Sequence, residues 1–235
     1  MPAYSPMRSV GATGKQGSAI KLKDQGVEVV RENLADEQSL GEALVGVRSA
    51  FLDTHSSTSE RPTSRRRRRR PATANLVFLV FSSVTDATPM IGISHIDSEV
   101  RIEEGLRESG IEWKVVAPVL FMDNFPKRNG LMRSLALGFF RAVFGSRQLQ
   151  LVSTGDIGYL AATMLSDPST YFNRRLNLAS DALSTSDIQA IYSRIFNQPV
   201  WSTWMPGFVL FLDLDAFRRQ KKTRSPRLPV FRPPE

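Results

Sequence analysis

Short apolar runs alternate with amphipathic segments along most of the chain, and this alternation limits the fold class. Runs of strand length lie at residues 27–30, 49–54, 76–83, 113–118 and 175–180. Segments with apolar residues at helical spacing lie at residues 34–47, 97–109, 156–165 and from Ser184 onward. Because strands that alternate with helices usually pair in parallel, the pattern predicts an α/β protein. We expect an open, mainly parallel sheet with helices on both faces.

A glycine-rich turn follows the first short apolar segment. It consists of Gly11, Ala12, Thr13, Gly14, Lys15, Gln16 and Gly17, and a helical segment follows it. Glycines at this spacing let the backbone approach a pyrophosphate, and the start of the following helix offers unpaired N–H groups to it. The turn therefore predicts a phosphate cradle. The alternative is a turn that serves packing alone.

The chain that follows this turn is short. Only eight residues, 18–25, separate Gly17 from Gly26. A crossover between parallel strands needs at least about 10–12 residues. No acid or arginine stands at the distance where it would contact a ribose. We therefore predict a sheet that is truncated near its second strand and has one strand fewer than a complete fold of this kind.

The net charge of +8 comes from two basic tracts. Residues 61–70 contain seven arginines and no acid, and residues 216–235 contain seven basic residues and one acid. The rest of the chain carries 17 basic and 22 acidic residues, so nucleic-acid binding is not expected. We expect residues 55–75 to form a mobile Arg-rich loop. Its run Arg65–Arg70 would alternatively bind nucleic acid or act as a nuclear signal.

Several features that the sequence lacks exclude whole classes of protein. Cysteine is absent, which excludes a disulfide scaffold, a thiolate metal site and a cysteine nucleophile, and we expect no metal site. The N-terminal segment has no apolar core of a signal peptide. The longest charge-free stretch, 195–212, is interrupted by prolines and a glycine, so we expect no membrane span. We predict a cytoplasmic protein, with the nucleus as the alternative location.

Several segments together resemble the NmrA-like family of atypical short-chain dehydrogenases/reductases. Residues 11–17 are similar to the family's glycine turn, and residues 26–52 resemble its third strand, a helix and its fourth strand. Residues 81–88, 95–125 and 156–184 match further family segments in order and spacing. The resemblance covers most of residues 9–198 and implies a Rossmann-like fold that binds NADP or NAD.

The resemblance also implies where the dinucleotide would bind. Its pyrophosphate would lie over Gly11–Gly17, and Thr54 and His55 would flank its adenine-ribose side. Asn124 and Phe125 would approach the nicotinamide.

Glu99 departs from the family pattern. The family has a lysine at the end of an H-x-x-S-K motif, where this chain reads HIDSE. That lysine would contact the cofactor ribose, whereas a carboxylate would repel the phosphates. The alternative is that Glu99 is an acid in the first turn and on the exposed face of a helix over 97–109, where it favours the helix dipole. The family's second strand is also missing, and the Arg-rich loop replaces the helix before residue 81.

The candidate acid–base and orienting groups are few. A typical short-chain dehydrogenase uses a tyrosine and a lysine four residues apart. No Tyr-x-x-x-Lys occurs in this sequence. His95 would act as a general acid beside the nicotinamide, or would cap the helix that begins near Asp97. Ser82 and Ser83 end a central strand and would either orient a substrate carbonyl or close a turn.

Two apolar segments lie outside the alternating pattern. Residues 131–144 would wall a substrate pocket or lie on a membrane surface, but we expect burial because their only charges are Arg133 and Arg141. Residues 200–217, with Trp201 and Trp204, are expected to pack with 131–144 as a small lobe. We divide the chain into an NAD(P)-binding Rossmann-like domain, 1–198, and an apolar C-terminal lobe with a basic disordered tail, 199–235.

The resemblance implies two functions, and the departures from the family pattern add a third. The first is an NADP- or NAD-dependent oxidoreductase that acts on a small hydrophobic metabolite, of the kind found in secondary metabolism. The second is a non-catalytic redox sensor that binds a dinucleotide and regulates a partner protein. The missing Tyr/Lys pair favours the second function, and the two apolar segments favour the first. The third is a degenerate member of the family that binds no dinucleotide.

Overall fold

The computed structural model describes residues 8–10, 28–30, 41–53, 76–85, 94–126, 130–167 and 169–204. The chain divides into two compact units. The first unit comprises Met1–Ser82, Ile102–Val115 and Ala161–Arg175, and the second comprises Ser83–Arg101, Val116–Leu160 and Leu176–Glu235. The Arg-rich loop and the C-terminal tail lie outside the described residues. The division into 1–198 and 199–235 stays a prediction.

Strands form three sheets in the described part of the chain. The strands are β1 (Arg8–Val10), β2 (Glu28–Val30), β3 (Ser49–Asp53), β4 (Phe78–Ser82), β5 (Glu112–Pro118), β6 (Leu120–Phe121), β7 (Leu149–Val152), β8 (Arg174–Leu178) and β9 (Asp181–Leu183). The first sheet is β1-β2, the second has the order β3-β4-β5-β8, and the third has the order β6-β7-β9. The pairs β1–β2, β3–β4 and β6–β7 are parallel, and β7–β9 is antiparallel. The prediction of a mainly parallel α/β fold is confirmed.

Helices follow or precede these strands, as the alternating sequence predicts. They are α1 (Ser94–Glu108), α2 (Gly130–Phe144), α3 (Thr154–Ser166) and α4 (Thr185–Ile195), and a short 3₁₀ turn covers Met122–Asn124. Residues 41–43 are also helical. No helix in the described ranges combines the length and the apolarity that crossing a membrane requires.

The direct pairing of β1 with β2 bears on the predicted truncation. Arg8 pairs with Glu28 and Val10 with Val30. In the common order of a doubly wound sheet, 3-2-1-4, the neighbour of the first strand is the second strand. The segment that resembles the family's third strand therefore occupies the place beside β1. Residues 18–27 lie outside the described part, so the missing strand itself stays a prediction.

The core of the first unit forms around β4 and the start of β5, and the near-continuous apolar sequence of β4 suits a strand covered on both faces. Phe81, Leu106 and Val115 form its buried cluster, and Leu52, Leu79, Ile102 and Trp113 pack against them. Glu103 is also buried here and is paired with two arginines. Its carboxylate lies 2.8 Å from Arg107 and 3.2 Å from Arg175, so two partners compensate its loss of hydration.

The core of the second unit forms between α2, α4 and the third sheet. Its buried members are Phe125, Leu137, Phe140, Leu149, Leu151, Ile188, Tyr192 and Val200. Leu137, Phe140 and Val143 belong to the apolar segment 131–144 and are buried, so burial of this segment is confirmed for that side of α2. Leu131 and Met132, at the start of the helix, are exposed.

The start of α4 has the cap that its sequence predicts, and the end of α2 has a glycine cap. Asp187 N–H donates to Ser184 Oγ at 3.2 Å, and Ser184 N–H donates to Asp187 Oδ2 at 2.8 Å. This reciprocal pair is a capping box, read in the sequence as Ser followed three residues later by Asp. Gly145 ends α2 with a φ of +63°, a backbone conformation in which glycine has no Cβ penalty.

Residues 200–204 lie along α2, as expected, but the two tryptophans do not make the contact. Thr203 donates to Ser134 O through its N–H and its hydroxyl, both at 3.1 Å. Trp201 and Trp204 are 76% and 83% exposed. The prediction that these two side chains pack against 131–144 is therefore wrong. Thr203 and Ser134 join the segment to α2 through hydrogen bonds, and Val200 supplies the apolar contact with the core.

Candidate functional site

The glycine turn begins where β1 ends. Val10 is the last residue of β1, and Gly11 follows it directly. Gly11–Gly17, Thr54 and His55 lie outside the described residues, so their predicted contacts with a dinucleotide stay predictions. The structure describes β1, the strand that precedes the glycine turn. Because β1 pairs in parallel with β2, the turn starts at the carboxyl end of a parallel strand, where α/β proteins bind ligands.

The polar residues after β4 are tied to the end of β5. In the second unit, Ser83 N–H donates to Val116 O at 2.8 Å, and Thr85 N–H donates to Pro118 O at 3.0 Å. The Thr85 hydroxyl donates to Ala117 O at 2.5 Å. Ser82, in the first unit, and Ser83 are both buried. This geometry favours the interpretation that the Ser82–Ser83 pair closes the end of the strand.

Asn124 and Phe125 lie together after β6 and point to different surroundings. Asn124 is exposed at the end of the 3₁₀ turn. The Phe125 ring is buried in the core of the second unit, with its centroid 4.6 Å from that of Phe140. Phe125 thus anchors the turn, while Asn124 is accessible to a ligand. Their approach to a nicotinamide stays a prediction.

The turn that carries Asn124 is bonded to the start of α3. Asp123 Oδ2 accepts hydrogen bonds from Thr154 N–H at 3.4 Å and from the Thr154 hydroxyl at 3.1 Å. Asp156, the acid in the first turn of α3, accepts a hydrogen bond from the Ser180 hydroxyl, and Asp156 N–H donates to Ser153 Oγ at 3.1 Å. Sequence analysis did not single out Asp123 or Thr154. The only available signal was the position of Asp123 beside Asn124.

Glu99 lies inside α1 and is only 6% exposed. Because α1 begins at Ser94, Glu99 belongs to its second turn. The alternative interpretation, an acid in the first turn on the exposed face, is therefore wrong. The predicted effect of this carboxylate on an anionic ligand stays a prediction.

His95 lies in the first turn of α1, because the helix begins at Ser94 and not near Asp97. The predicted helix start near Asp97 is therefore wrong, and the interpretation of His95 as a cap stays a prediction. Its side chain is outside the described part of the chain, and its role as a general acid stays a prediction.

Tyr192 differs from the other tyrosines that the structure describes in the effect of its surroundings on its pKa. Its hydroxyl donates to Pro126 O at 3.2 Å. Burial raises the pKa of Tyr192, and the nearby Arg133 guanidinium partly opposes this shift. A tyrosine that acts as a proton donor with a neighbouring lysine needs a lowered pKa, so Tyr192 is suited to a packing role. The guanidinium of Arg133 lies 5.2 Å from its ring.

Comparison with known proteins identifies a curated relative of this chain. A (4-alkanoyl-5-oxo-2,5-dihydrofuran-3-yl)methyl phosphate reductase from Streptomyces griseus is 27% identical over 188 residues, which cover 77% of this chain and 63% of that protein. The chain therefore spans less than two thirds of this relative's length.

Solved structures with the same fold include two reductases. The triphenylmethane reductase of Citrobacter sp., in complex with NADP(H), has a TM-score of 0.65 and 18% identity, with 92% of this chain and 88% of that chain covered. An NADPH-dependent quinone oxidoreductase from Escherichia coli, in complex with NADPH, has a TM-score of 0.61 and 18% identity, with 91% and 85% covered. The model of the NmrA-like family matches residues 13–221, and the chain belongs to this family.

Proposed function

We propose that the protein is an NADP-dependent oxidoreductase that acts on a small hydrophobic metabolite. One observation carries the proposal: the glycine turn Gly11–Gly17 begins at the carboxyl end of β1, which pairs in parallel with β2. Backbone N–H groups at such a turn suit the pyrophosphate of a dinucleotide. The bound NADP(H) in two proteins of the same fold and the reductase activity named for a relative support this proposal. NAD is the alternative cofactor.

The side chain of Asn124 suits the nicotinamide half of the ligand. Asn124 is exposed after β6, and its amide has both a donor and an acceptor for a carboxamide. When bound, the reduced cofactor supplies a hydride to the substrate carbon, and the substrate oxygen takes a proton. In this proposal His95 is the candidate proton donor.

The preference for a hydrophobic substrate rests on the exposed apolar side chains of the second unit. Leu131 and Met132 at the start of α2, and Trp201 and Trp204 beyond α4, are all exposed. Apolar surface of this kind is available to a hydrophobic ligand.

A non-catalytic sensor is the second candidate. The observation that favours it is the lack of a Tyr-x-x-x-Lys motif, together with the raised pKa and the partly buried hydrogen bond of Tyr192. In such a sensor the exposed tryptophans would contact a partner protein instead of a metabolite.

Two measurements distinguish these candidates. NADPH and NADH are titrated into the full chain, and nicotinamide fluorescence reports binding. The loss of absorbance at the NADPH maximum is then followed with quinones and other hydrophobic carbonyl compounds as substrates. Binding with substrate-dependent oxidation supports the oxidoreductase, and His95→Ala is then expected to slow oxidation while binding persists. Binding without oxidation of any compound favours the sensor, and the absence of binding contradicts both.

A further inference from the structure

We propose that Asp123 is a positioning residue, which holds the Asn124 amide through its bond to Thr154 and thereby sets the affinity for the nicotinamide end of the dinucleotide. This inference rests on the proposed function, because it requires that a dinucleotide binds. It adds a residue pair that neither the family resemblance nor the glycine turn indicates.

The first step of the argument concerns the turn itself. The 3₁₀ turn Met122–Asn124 has three residues, and the residue before it provides no side-chain cap. Its backbone closure is one hydrogen bond, from Phe125 N–H to Met122 O at 3.1 Å. Such a short turn has little stability of its own. The position of Asn124 therefore depends on the groups that hold the turn from outside.

The second step concerns the flanks of the turn, which are fixed on both sides. Before it, β6 pairs with β7, with Phe121 opposite Val152. After it, the Phe125 ring is buried against Phe140. The exposed Asn124 lies between these two fixed points. A further constraint on the turn is the bonding of Asp123 to Thr154.

The third step concerns the electrostatics of this bond. Thr154 is the first residue of α3, a helix of 13 residues. The N–H groups at the start of a helix have no partner within the helix, and its dipole is positive there. A carboxylate that accepts from both the N–H and the hydroxyl of Thr154 is therefore well bound. Since β6 and β7 are parallel, Asp123 and Thr154 follow the carboxyl ends of neighbouring strands.

The fourth step concerns the ligand. A side-chain amide such as that of Asn124 pairs with a carboxamide through one donor and one acceptor, and both bonds require the amide in a fixed orientation. Displacement of the turn would weaken these bonds and leave contacts with the rest of the dinucleotide intact. The effect of Asp123 should therefore fall on the nicotinamide half alone.

The experiment compares two ligands that differ in this half. NADPH and 2′-phospho-ADP-ribose, which has no nicotinamide, are titrated calorimetrically into wild type, Asp123→Ala, Thr154→Val and Asn124→Ala. Asp187→Ala is the matched control, because it removes an acid that caps α4 through Ser184. We expect Asp123→Ala and Thr154→Val to weaken NADPH binding about fivefold. This is the effect of losing one hydrogen bond between the Asn124 amide and the carboxamide of the ligand. Binding of 2′-phospho-ADP-ribose should be unchanged, and the control should bind both ligands as wild type does.

A double variant tests whether Asp123 acts through Asn124. Asp123→Ala combined with Asn124→Ala should bind NADPH no more weakly than Asn124→Ala alone. Equal weakening for the two ligands would identify a purely structural role and overturn the inference, as would unchanged NADPH binding. If Asp123→Ala does not fold, Thr154→Val gives the same comparison, because it removes the hydroxyl that donates to Asp123. Wild type that binds neither ligand contradicts the proposed function itself, whereas wild type that binds the two ligands equally well overturns only this inference.

Discussion

Lys114 is a charged residue in the buried part of its strand. It lies in β5, is 0% exposed, and its ammonium group donates to Met164 O and, at 2.8 Å, to Asp167 O. Both carbonyls belong to the carboxyl-terminal end of α3, where a positive charge is favourable. The ring centroids of Phe78 and Phe172 lie 4.7 and 5.1 Å from Nζ. The lysine thus caps a helix from a neighbouring strand.

Replacement of this lysine should destabilise the first unit. Lys114→Met keeps much of the side-chain volume but cannot donate to the two carbonyls. We expect a loss of about 1–3 kcal/mol in the free energy of unfolding at neutral pH, the cost of unsatisfied buried groups. Chemical denaturation of wild type and Lys114→Met measures this difference in the free energy of unfolding. A variant as stable as wild type would mean that relief from burying the charge offsets the lost bonds.

The same substitution has a pH dependence with a definite sign. Burial lowers the pKa of Lys114, and Asp167 and Glu112 partly oppose this shift. Between that lowered pKa and the value of an unfolded lysine, about 10.4, the unfolded chain binds more protons. The stability of wild type relative to Lys114→Met should therefore rise with pH across this window. A difference that is constant or falls as pH increases would contradict the assignment.

Glu99 allows a test of the predicted phosphate site. If its buried carboxylate faces the cofactor ribose and phosphates, Glu99→Lys should tighten NADPH binding several-fold, because a repulsion of about 1 kcal/mol becomes an attraction. Glu99→Gln should give a smaller gain with less risk to folding. Glu104→Lys is the control, since Glu104 is exposed on the same helix and the change in net charge is identical. Equal affinities for all the folded proteins would place Glu99 away from the ligand.

At the scale of the elements, the sequence predicts what local periodicity determines. The strand at 113–118, the helix at 156–165 and the helix that begins after Ser184 correspond to β5, α3 and α4. Each carries its own signal, an apolar run, a helical stripe or a capping box. For this reason their bounds differ by only a few residues from the predicted ones.

The third sheet and the link to Asn124 could not be predicted in the same way. The strands β6 and β9 have two and three residues, too few for an alternating pattern, and they exist because they pair with β7. The bond between Asp123 and Thr154 joins residues 31 positions apart in sequence. Such contacts depend on tertiary structure, which a single sequence does not display. The prediction that Trp201 and Trp204 pack against residues 131–144 is wrong for a related reason. An apolar composition does not show which side chains of a segment are buried.

The approach of residues 200–204 to α2 depends on one glycine. A Cβ on Gly138 would lie 2.3 Å from Thr203 O and 2.5 Å from Thr203 Oγ1. Gly138→Ala must therefore displace the segment, and we expect it to lower the free energy of unfolding by about 1–3 kcal/mol. Gly158→Ala in α3, where a Cβ meets nothing within 4 Å, should instead raise it by up to about 1 kcal/mol. If both variants gain stability, the segment does not pack on α2 at Gly138.

At the scale of the whole molecule, ligand binding should appear as thermal stability. A ligand that binds only the folded chain at one hundred times its Kd stabilises it by about 2.7 kcal/mol. For a chain of this size, 1 kcal/mol corresponds to roughly 2–4 °C in Tm. We therefore expect NADPH at that concentration to raise Tm by about 5–10 °C.

The variant Gly14→Val makes this shift specific to the glycine turn. A branched side chain there would prevent the close approach of the backbone to the pyrophosphate, so the NADPH-dependent rise in Tm should disappear. Gly105→Val is the matched control, because Gly105 lies in α1 where an added Cβ meets nothing within 4 Å. The control should keep its stability or gain slightly, because valine is a better helix former than glycine, and should still show the full rise. A folded Gly14→Val protein that keeps the rise would mean that the dinucleotide does not bind over the glycine turn, and the proposed function would lose the observation that carries it.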